Sequence, residues 1–430
     1  MRERMLRTHR SSDLKNANSG DLVTVAGWVH EIRDISKLVF VVIRDREGFV
    51  QATGKAADLG DRVKEFANLS RESVVSITGR AVVPSKAKVG PEIAVESWSV
   101  LSNAAAPLPL GPADKVNIDP ETRFDHRALD IRRPEISALF KFRSDLMRTI
   151  RGAMTSRGFL EMTSPKLVAA GAEGGATLFK VDYFGKTAYL AQSPQLYKQM
   201  LMGAGLDRVF ELTPAFRAEP SDTTRHISEF TSFDGEMAFI DGLEDVLQAL
   251  EGTVAEVMKN LESKFELKLK TPELPIPRVR YEEAVKIAAA RGFGVRENED
   301  LPTDAEKALG EEMKARGHDF YFITHYPHAA KPFYIMEEGT LSRGYDLECN
   351  GLEIASGGQR EHRHEELTKR MEAKGLDVSS FSYYLEPFKY GMPPHGGWGF
   401  GVERFAAALI GQANVREMIM FPRDRGRLVP

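Results

Sequence analysis

Five short stretches of alternating or β-branched residues crowd into the first hundred positions, and they constrain the fold more than any other feature. Leu22–Glu31 alternates around Val23, Val25, Gly27 and Val29. Leu38–Arg44 is β-branched and aromatic, Arg46-Glu47-Gly48 gives a turn, and Phe49–Thr53 alternates again. Val74–Val83 and Glu92–Val100 complete the set, with a helical stretch at Arg62–Asn68 between the third and fourth. Five strands with a helix after the third predict a small closed Greek-key barrel over residues 1–103.

Ala104–Pro112 is rich in Pro and Ala and reads as an extended bridge, since proline fixes φ and removes a donor. Residues 104–134 are therefore expected to link two domains. From 135 to 430 the pattern changes. Ile136–Arg157 has helical periodicity (Ile136, Leu139, Phe140, Leu146, Ile150, Met154) and Gly158 ends it. Gly242–Leu261 is a second amphipathic helix, and His362–Lys374 a third. Strands are expected at Phe159–Met162, Phe179–Tyr183, Ala188–Ala191, Val209–Phe216, Glu229–Ile240, Phe320–Thr324, Phe333–Ile335, Tyr345–Cys349 and Leu352–Ser356. Gly399–Ile410 is an apolar strand or helix. Consecutive strands with few helical crossovers predict a mainly antiparallel sheet flanked by helices, so the chain is α+β. No GxGxxG or GxxxxGK[ST] run is present, which argues against a Rossmann or P-loop fold.

The net charge is −4, from 58 Lys+Arg against 62 Asp+Glu. That balance excludes binding of nucleic acid by bulk charge alone. The charge is uneven: residues 1–100 carry 16 basic and 13 acidic side chains, the rest 42 and 49. A mildly basic first part thus precedes an acidic body. The single cysteine, Cys349, permits no intrachain disulfide or thiolate zinc cluster and fits a reducing, cytoplasmic setting. The longest uncharged stretch, Ser97–Ala113, contains Pro107, Pro109 and Pro112 and makes a poor membrane helix. No signal peptide is expected, because Met1–Arg10 is charged throughout.

Four constellations could carry chemistry. Phe216-Arg217-Ala218-Glu219, then Arg225-His226, then Asp234 and Glu236 read as strand, charged loop, strand. Arg217 can fork onto a phosphate or carboxylate, Arg225 and His226 could reach a polyphosphate, and Glu219 could accept from a base amino group. Gly399-Phe400-Gly401-Val402-Glu403-Arg404 combines glycines that admit a ligand with an arginine at a strand–helix junction. Asp346 and Glu353, with Ser356-Gly357-Gly358-Gln359-Arg360 following, could hold a hard cation in the style of magnesium. Gln195-Leu196-Tyr197-Lys198, preceded by Glu173-Gly174-Gly175, offers a point cation for a small anion and an acid for an ammonium. Taken singly, surface hairpins, a capping turn and a solvated helix lysine explain these runs as well.

In this order along the chain, the runs resemble those of the class II aminoacyl-tRNA synthetases, and most closely the archaeal-type aspartyl enzymes. Ile136–Arg157 with Gly158-Phe159-Leu160-Glu161 and Pro165 resembles motif 1, which builds the family's dimer interface. Phe216–Glu219 with the Arg225-His226 loop resembles motif 2, and Gly399–Arg404 resembles motif 3. The first barrel resembles the family's anticodon-binding OB domain. The resemblance implies an ATP site of Arg217, Ala218, Glu219, Arg225, His226, Ile227, Glu353, Gly401, Val402, Glu403 and Arg404. It puts Arg217 and Arg404 in the chemistry, and Mg²⁺ on Glu353 and Ser356, with Asp346 presenting a second carboxylate. It implies an aspartate site of Glu173, Gln195, Leu196, Tyr197, Lys198, Arg217, Ser356 and Arg360. It implies a homodimer acting on tRNA(Asp), with His30, Arg33, Phe40, Gln51, Lys88 and Glu92 meeting the anticodon.

Lys198 and Arg360 favour a side-chain carboxylate over an amide or an amine, so aspartate is expected over asparagine or lysine. Whether tRNA(Asn) is charged too stays open. His30, two places after Trp28, matches the relaxed enzymes, whereas Lys88 matches the restricted ones. Competing readings are an asparaginyl enzyme, a lysyl enzyme, a tRNA-free asparagine synthetase paralogue and a non-catalytic RNA-binding relative. The barrel speaks against the paralogue, and intact Arg217, Glu219, Glu353 and Arg404 against a non-catalytic body.

Overall fold

The computed structural model describes residues 6–113, 118–169, 178–218, 227–296 and 298–430. By its contacts the chain divides into two compact units, Met1–Ser137 and Ala138–Pro430.

In the first unit β1 (Leu22–Ile35), β2 (Leu38–Arg44), β3 (Phe49–Lys55), β4 (Val74–Val82) and β5 (Glu92–Ser102) close a barrel in the order β1-β2-β3-β5-β4. The expected helix is α1, Arg62–Ala67. Alternation works as expected: Val23, Val25, Val39, Val41, Ile77 and Ile93 fill the barrel, and Phe66 of α1 packs into the same cluster. Gly27 is demanded by packing, since a Cβ there would overlap the Arg44 carbonyl. Beyond the barrel, Asp119 caps the short helix Pro120–Asp125 by accepting from the Glu121 and Thr122 amides. Arg123 and Arg127 then close on the fully buried Asp130. Arg132 reaches back to Glu72 at 3.2 Å and lies over the Trp28 ring. Two short helices, Pro120–Asp125 and Arg127–Asp130, thus interrupt the segment 104–134, and Arg132 ties its end to the barrel.

In the second unit an eight-stranded sheet carries the core. Its strands are β6 (Leu160–Glu161), β7 (Arg208–Phe216), β8 (Glu229–Ala238), β9 (Arg278–Arg280), β10 (Phe320–Thr324), β11 (Gly344–Cys349), β12 (Glu353–Gln359) and β13 (His395–Gly401). The order is β9-β10-β11-β12-β13-β8-β7-β6. All pairs are antiparallel except β6–β7 and β9–β10. Three of its helices are α2 (Pro134–Ser156), which begins in the last residues of the first unit, α3 (Gln195–Gly203) and α4 (Leu243–Glu262). The chain continues through α5 (Tyr281–Ala290), α6 (Thr303–Ala315), α7 (His364–Ala373), α8 (Ser382–Lys389) and α9 (Val402–Ile410). Leu146, Ile150 and Met154 of α2 and Val246, Leu250 and Val254 of α4 join Phe233, Trp398 and Phe400 of the sheet in one cluster. Gly235 is glycine because a Cβ would collide with the Trp398 ring.

One expected strand is absent. Phe333–Ile335 forms a turn after Pro332, and Ile335 makes only an isolated bridge to Arg360. Its apolar residues reflect burial against α3, α7 and α8, not strand pairing. Gly399–Ile410, left open between strand and helix, is both: β13 ends at Gly401 and α9 starts at Val402.

Candidate functional site

Strand registry assembles the site. Asp346 of β11 pairs with Ser356 of β12, Ser356 with Gly399 of β13, and Gly399 with Asp234 of β8. Ser356, Gly399 and Asp234 of this row line a cavity of about 280 Å³. Gln195, Arg217, Ile227, Glu353, Ser356, Arg360, Gly401, Glu403 and Arg404 all line it. Residues up to 209 positions apart in sequence therefore share one wall.

At one end lies a charge cluster at the base. Arg360 donates through Nε to Glu236 Oε1 at 2.9 Å and through Nη2 to Oε2 at 3.2 Å. Lys198 Nζ sits 3.5 Å from Glu236 Oε2, 2.9 Å from Asp234 Oδ1 and donates to the Trp398 carbonyl at 2.7 Å. Ser232 Oγ donates to the other Asp234 oxygen. Lys198 is 1% exposed, which excludes the solvated-lysine explanation. Burial opposes ionisation of Glu236, but Arg360 and then Lys198 hold its carboxyl below the ordinary range. The same partner raises Arg360 against its own burial. Both cations and both acids are fully buried, so the set survives only as a unit.

Arg217 follows the end of β7. Its amide donates to the Ser228 carbonyl at 2.9 Å and its guanidinium lies over the Phe230 ring at 5.2 Å. Arg404 donates through Nη1 to the Glu353 carbonyl at 3.0 Å. Glu403 accepts from Arg143 of α2 at 2.7 Å and from the Thr231 amide at 2.9 Å. It thereby fixes the first turn of α9 against β8.

The flank of the site around Glu353 is acidic. Burial and then Asp346 push the Glu353 carboxyl up. Burial and then Glu353 push Glu306 up to about 7. Lys331 meets Asp346 Oδ2 at 2.6 Å, while Asp346 Oδ1 is buried without a hydrogen-bond partner among the described residues. Surplus carboxylate and an orphaned oxygen beside Ser356 fit a divalent cation. Among the described residues no group of three or more His, Cys, Asp or Glu side chains forms a cage. Magnesium needs no such cage, since it takes one or two carboxylates and completes its shell with phosphate and water.

Other expected residues fall elsewhere. The Leu196 and Val402 side chains lie in apolar clusters, and half-buried Tyr197 packs on one of them. Ala218 is half-buried beyond the end of β7. Glu173, Glu219, Arg225 and His226 lie outside the described residues. The reading of the sequence missed Phe230 and Lys331 as lining residues. For Phe230 its place on β8, four residues before Asp234, was the available signal.

The barrel presents its own face. Arg33 pairs in register with Phe40, and Phe40 with Thr53. Phe40 is half-buried on the face opposite Val39 and Val41, not in the barrel interior. Gln51 and Thr53 both donate to Glu92 Oε1, at 3.3 and 2.6 Å. Exposed Lys88 stands on the loop between β4 and β5. His30 occupies a β-bulge where the register shifts between Val29 and Glu31. Arg44 Nη1 is 2.8 Å from His30 Nδ1. A guanidinium can only donate, so Nδ1 accepts and the proton sits on Nε2. Burial and then Arg44 lower the His30 pKa.

Comparison with known proteins agrees with this architecture. The family model for class II tRNA synthetases (D, K and N) matches residues 119–425, and that for the OB-fold nucleic acid binding domain matches residues 23–101. The aspartate–tRNA(Asp) ligase of Pyrococcus horikoshii is 45% identical over 99% of this chain and all of its own length. The aspartate–tRNA(Asp/Asn) ligase of Methanocaldococcus jannaschii is 44% identical over 99% of this chain and 98% of its own. Among solved structures, asparaginyl-tRNA synthetase from P. horikoshii complexed with asparaginyl-adenylate superposes with a TM-score of 0.88. It is 34% identical, covering 96% of this chain and 97% of its own. An OB barrel joined to an antiparallel sheet with this cavity defines an aminoacyl-tRNA synthetase of class II. The chain belongs to the branch of that class described by the D, K and N family model, and as such it uses ATP.

Proposed function

We propose that this synthetase activates L-aspartate with ATP and transfers it to the 3′ end of tRNA(Asp). The observation that carries the reading is Arg360, locked on Glu236 above Lys198 while lining the cavity. An amino-acid side chain entering there meets a guanidinium with donors to spare, which suits a carboxylate. Its ammonium is assigned to Gln195, which lines the cavity, and to Glu173, which lies outside the described residues. The substrate α-carboxylate attacks the α-phosphorus, the new O–P bond forms, and pyrophosphate leaves with the electrons of the broken bond. The nucleophile is already an anion, so no catalytic base is required.

Arg217 stabilises the charge that grows on the α-phosphate, and Arg404 holds the γ-phosphate end. Phe230 and Ile227 offer apolar surface to the adenine. Ala218, Gly401, Val402 and Glu403 are assigned to the nucleotide site, as are Glu219, Arg225 and His226, which lie outside the described residues. Mg²⁺, held by Glu353, Ser356 and the free oxygen of Asp346, neutralises phosphate charge when bound.

Replacing Lys198 by Ala is expected to raise the KM for aspartate about a hundredfold, because Asp234 and Glu236 lose a buried partner. ATP binding, measured by calorimetry, should change little. Unaltered aspartate-dependent pyrophosphate exchange would refute the assignment.

The barrel face of Arg33, Phe40, Gln51 and Glu92, with His30 and Lys88, is proposed to meet the anticodon. Phe40→Ala should weaken tRNA binding by about 1–3 kcal/mol, the worth of one stacked base. Exchange without tRNA should be unchanged, and equal tRNA affinity in filter binding would remove Phe40 from the interface. We take the relaxed reading of tRNA choice. Purified tRNA(Asp) and tRNA(Asn) should both be charged, and charging of tRNA(Asp) alone overturns it. A homodimer through α2 and β6 is proposed, with Leu160 exposed on the edge strand of the sheet. Among the described residues no helix is long and apolar enough to cross a membrane. We place the enzyme in the cytoplasm, with its tRNA.

A further inference from the structure

Directly behind the cavity lies a buried polar chain that the reaction itself does not use. His395, wholly buried at the start of β13, has Nδ1 2.9 Å from the Pro393 carbonyl. Its Nε2 is 3.1 Å from Gln199 Nε2. Gln199 Oε1 accepts from Gln195 Nε2 at 3.0 Å and from the Tyr384 hydroxyl at 3.1 Å. Gln199 is 0% exposed and Gln195 4%.

The chain has only one consistent direction. A carbonyl cannot donate, so His395 Nδ1 carries the proton and Nε2 must accept. Only an amide NH₂ can donate to Nε2, which turns the Gln199 oxygen toward Gln195. That oxygen accepts, so Gln195 must present its own NH₂ to Gln199. The Gln195 carbonyl oxygen is then the end left for the cavity that Gln195 lines. Burial lowers the His395 pKa to about 4, so the ring stays neutral at working pH and the direction does not reverse.

We propose that Gln199, His395 and Tyr384 are positioning residues that lock the Gln195 amide with its oxygen toward the substrate, making it a dedicated acceptor for the amino-acid α-ammonium. The inference rests on the proposed aspartate site. An amide free to flip would offer NH₂ to the ammonium half of the time, and a locked one never does. The device therefore reads the ammonium, not the side chain.

The test compares L-aspartate with succinate, which keeps both carboxylates and lacks the ammonium. Wild-type exchange with aspartate is measured first, since its absence would defeat the aspartate reading rather than this one. In Gln199→Met the KM for aspartate should rise about tenfold, the scale of a lost hydrogen bond to a charged group. The KM for ATP and the inhibition constant of succinate should stay within twofold. His395→Gln, which retains an acceptor for Gln199, should recover most of the aspartate KM, whereas His395→Leu should behave like Gln199→Met. An unchanged aspartate KM in Gln199→Met, or equal losses for aspartate, succinate and ATP, would overturn the proposal. Should Gln199→Met fail to fold, the His395→Leu and His395→Gln pair decides by the same readouts.

Discussion

Arg217→Ala should lower aspartate-dependent ATP–pyrophosphate exchange by about 10²–10³-fold, the usual loss when one donor to a developing oxyanion is removed. The size follows from where Arg217 sits. Its backbone is fixed by the bond to Ser228, and its guanidinium rests on Phe230 inside the cavity. In the proposed reaction it would meet the α-phosphate without first having to be ordered. The loss should fall on kcat more than on the KM for ATP, because the charge it meets grows in the transition state. Arg217→Lys keeps the charge and loses the fork, so an intermediate rate is expected. Exchange within tenfold of wild type in Arg217→Ala, measured in the pre-steady state, would remove this residue from the chemistry.

Glu236→Gln should destabilise the catalytic unit by about 3–5 kcal/mol, the cost of breaking a buried pair from one side. Glu236 is wholly buried and is the shared partner of Arg360 and Lys198. Its loss strands Arg360 without its carboxylate and leaves Lys198 on Asp234 alone. Because the folded pKa of Glu236 lies below the ordinary 4.5, its stabilisation is complete above that value. It fades as the pH falls through the folded pKa. Urea unfolding of both proteins should therefore differ most near neutral pH, with the gap narrowing below pH 4.5. A constant gap across that range would mean that Glu236 is not ionised in the folded protein. Aspartate activation should fall as well, since Arg360 loses the partner that aims it.

The parts of this structure that were legible in the sequence are those in which local pattern decides. The barrel strands could be read because each alternates with one apolar face, and β2 and β10 begin and end where the pattern does. Arg217, Glu353, Arg360 and Arg404 could be picked out because each stands within three residues of a strand end: Arg217 just after β7, Glu353 at the start of β12, Arg360 just after its end and Arg404 three residues beyond β13. What stayed hidden was not these residues but the partners that others already singled out would find across the sheet. Lys198 looks like any helix lysine until β8 and β13 close over it, and Glu236 meets Arg360 across 124 positions. Helix α5 escaped notice because its buried face is Tyr281, Ala284 and Ala288, with too little bulk to mark a period. Phe333–Ile335 misled in the other direction. Three apolar residues in a row suit a strand or a buried turn equally, and Pro332 decided for the turn.

The surplus of acid noted in the body of the chain also gains a location. Burial first, and neighbouring carboxylates after it, raise Asp300, Glu306, Glu348 and Glu353, of which Glu353 lines the cavity. Part of the acidic surplus thus gathers behind the wall that Glu353 lines. The barrel, mildly basic, needs only local contacts and stacking to hold RNA.

The most direct test of the account is amino-acid-dependent ATP–pyrophosphate exchange by the purified full chain, run in parallel with aspartate, asparagine and lysine. Robust exchange is expected with aspartate and little with the other two, because Arg360, backed by the Glu236–Lys198 pair, lines the cavity for a carboxylate. Exchange driven by asparagine or lysine in preference to aspartate, or by none of the three, would contradict it.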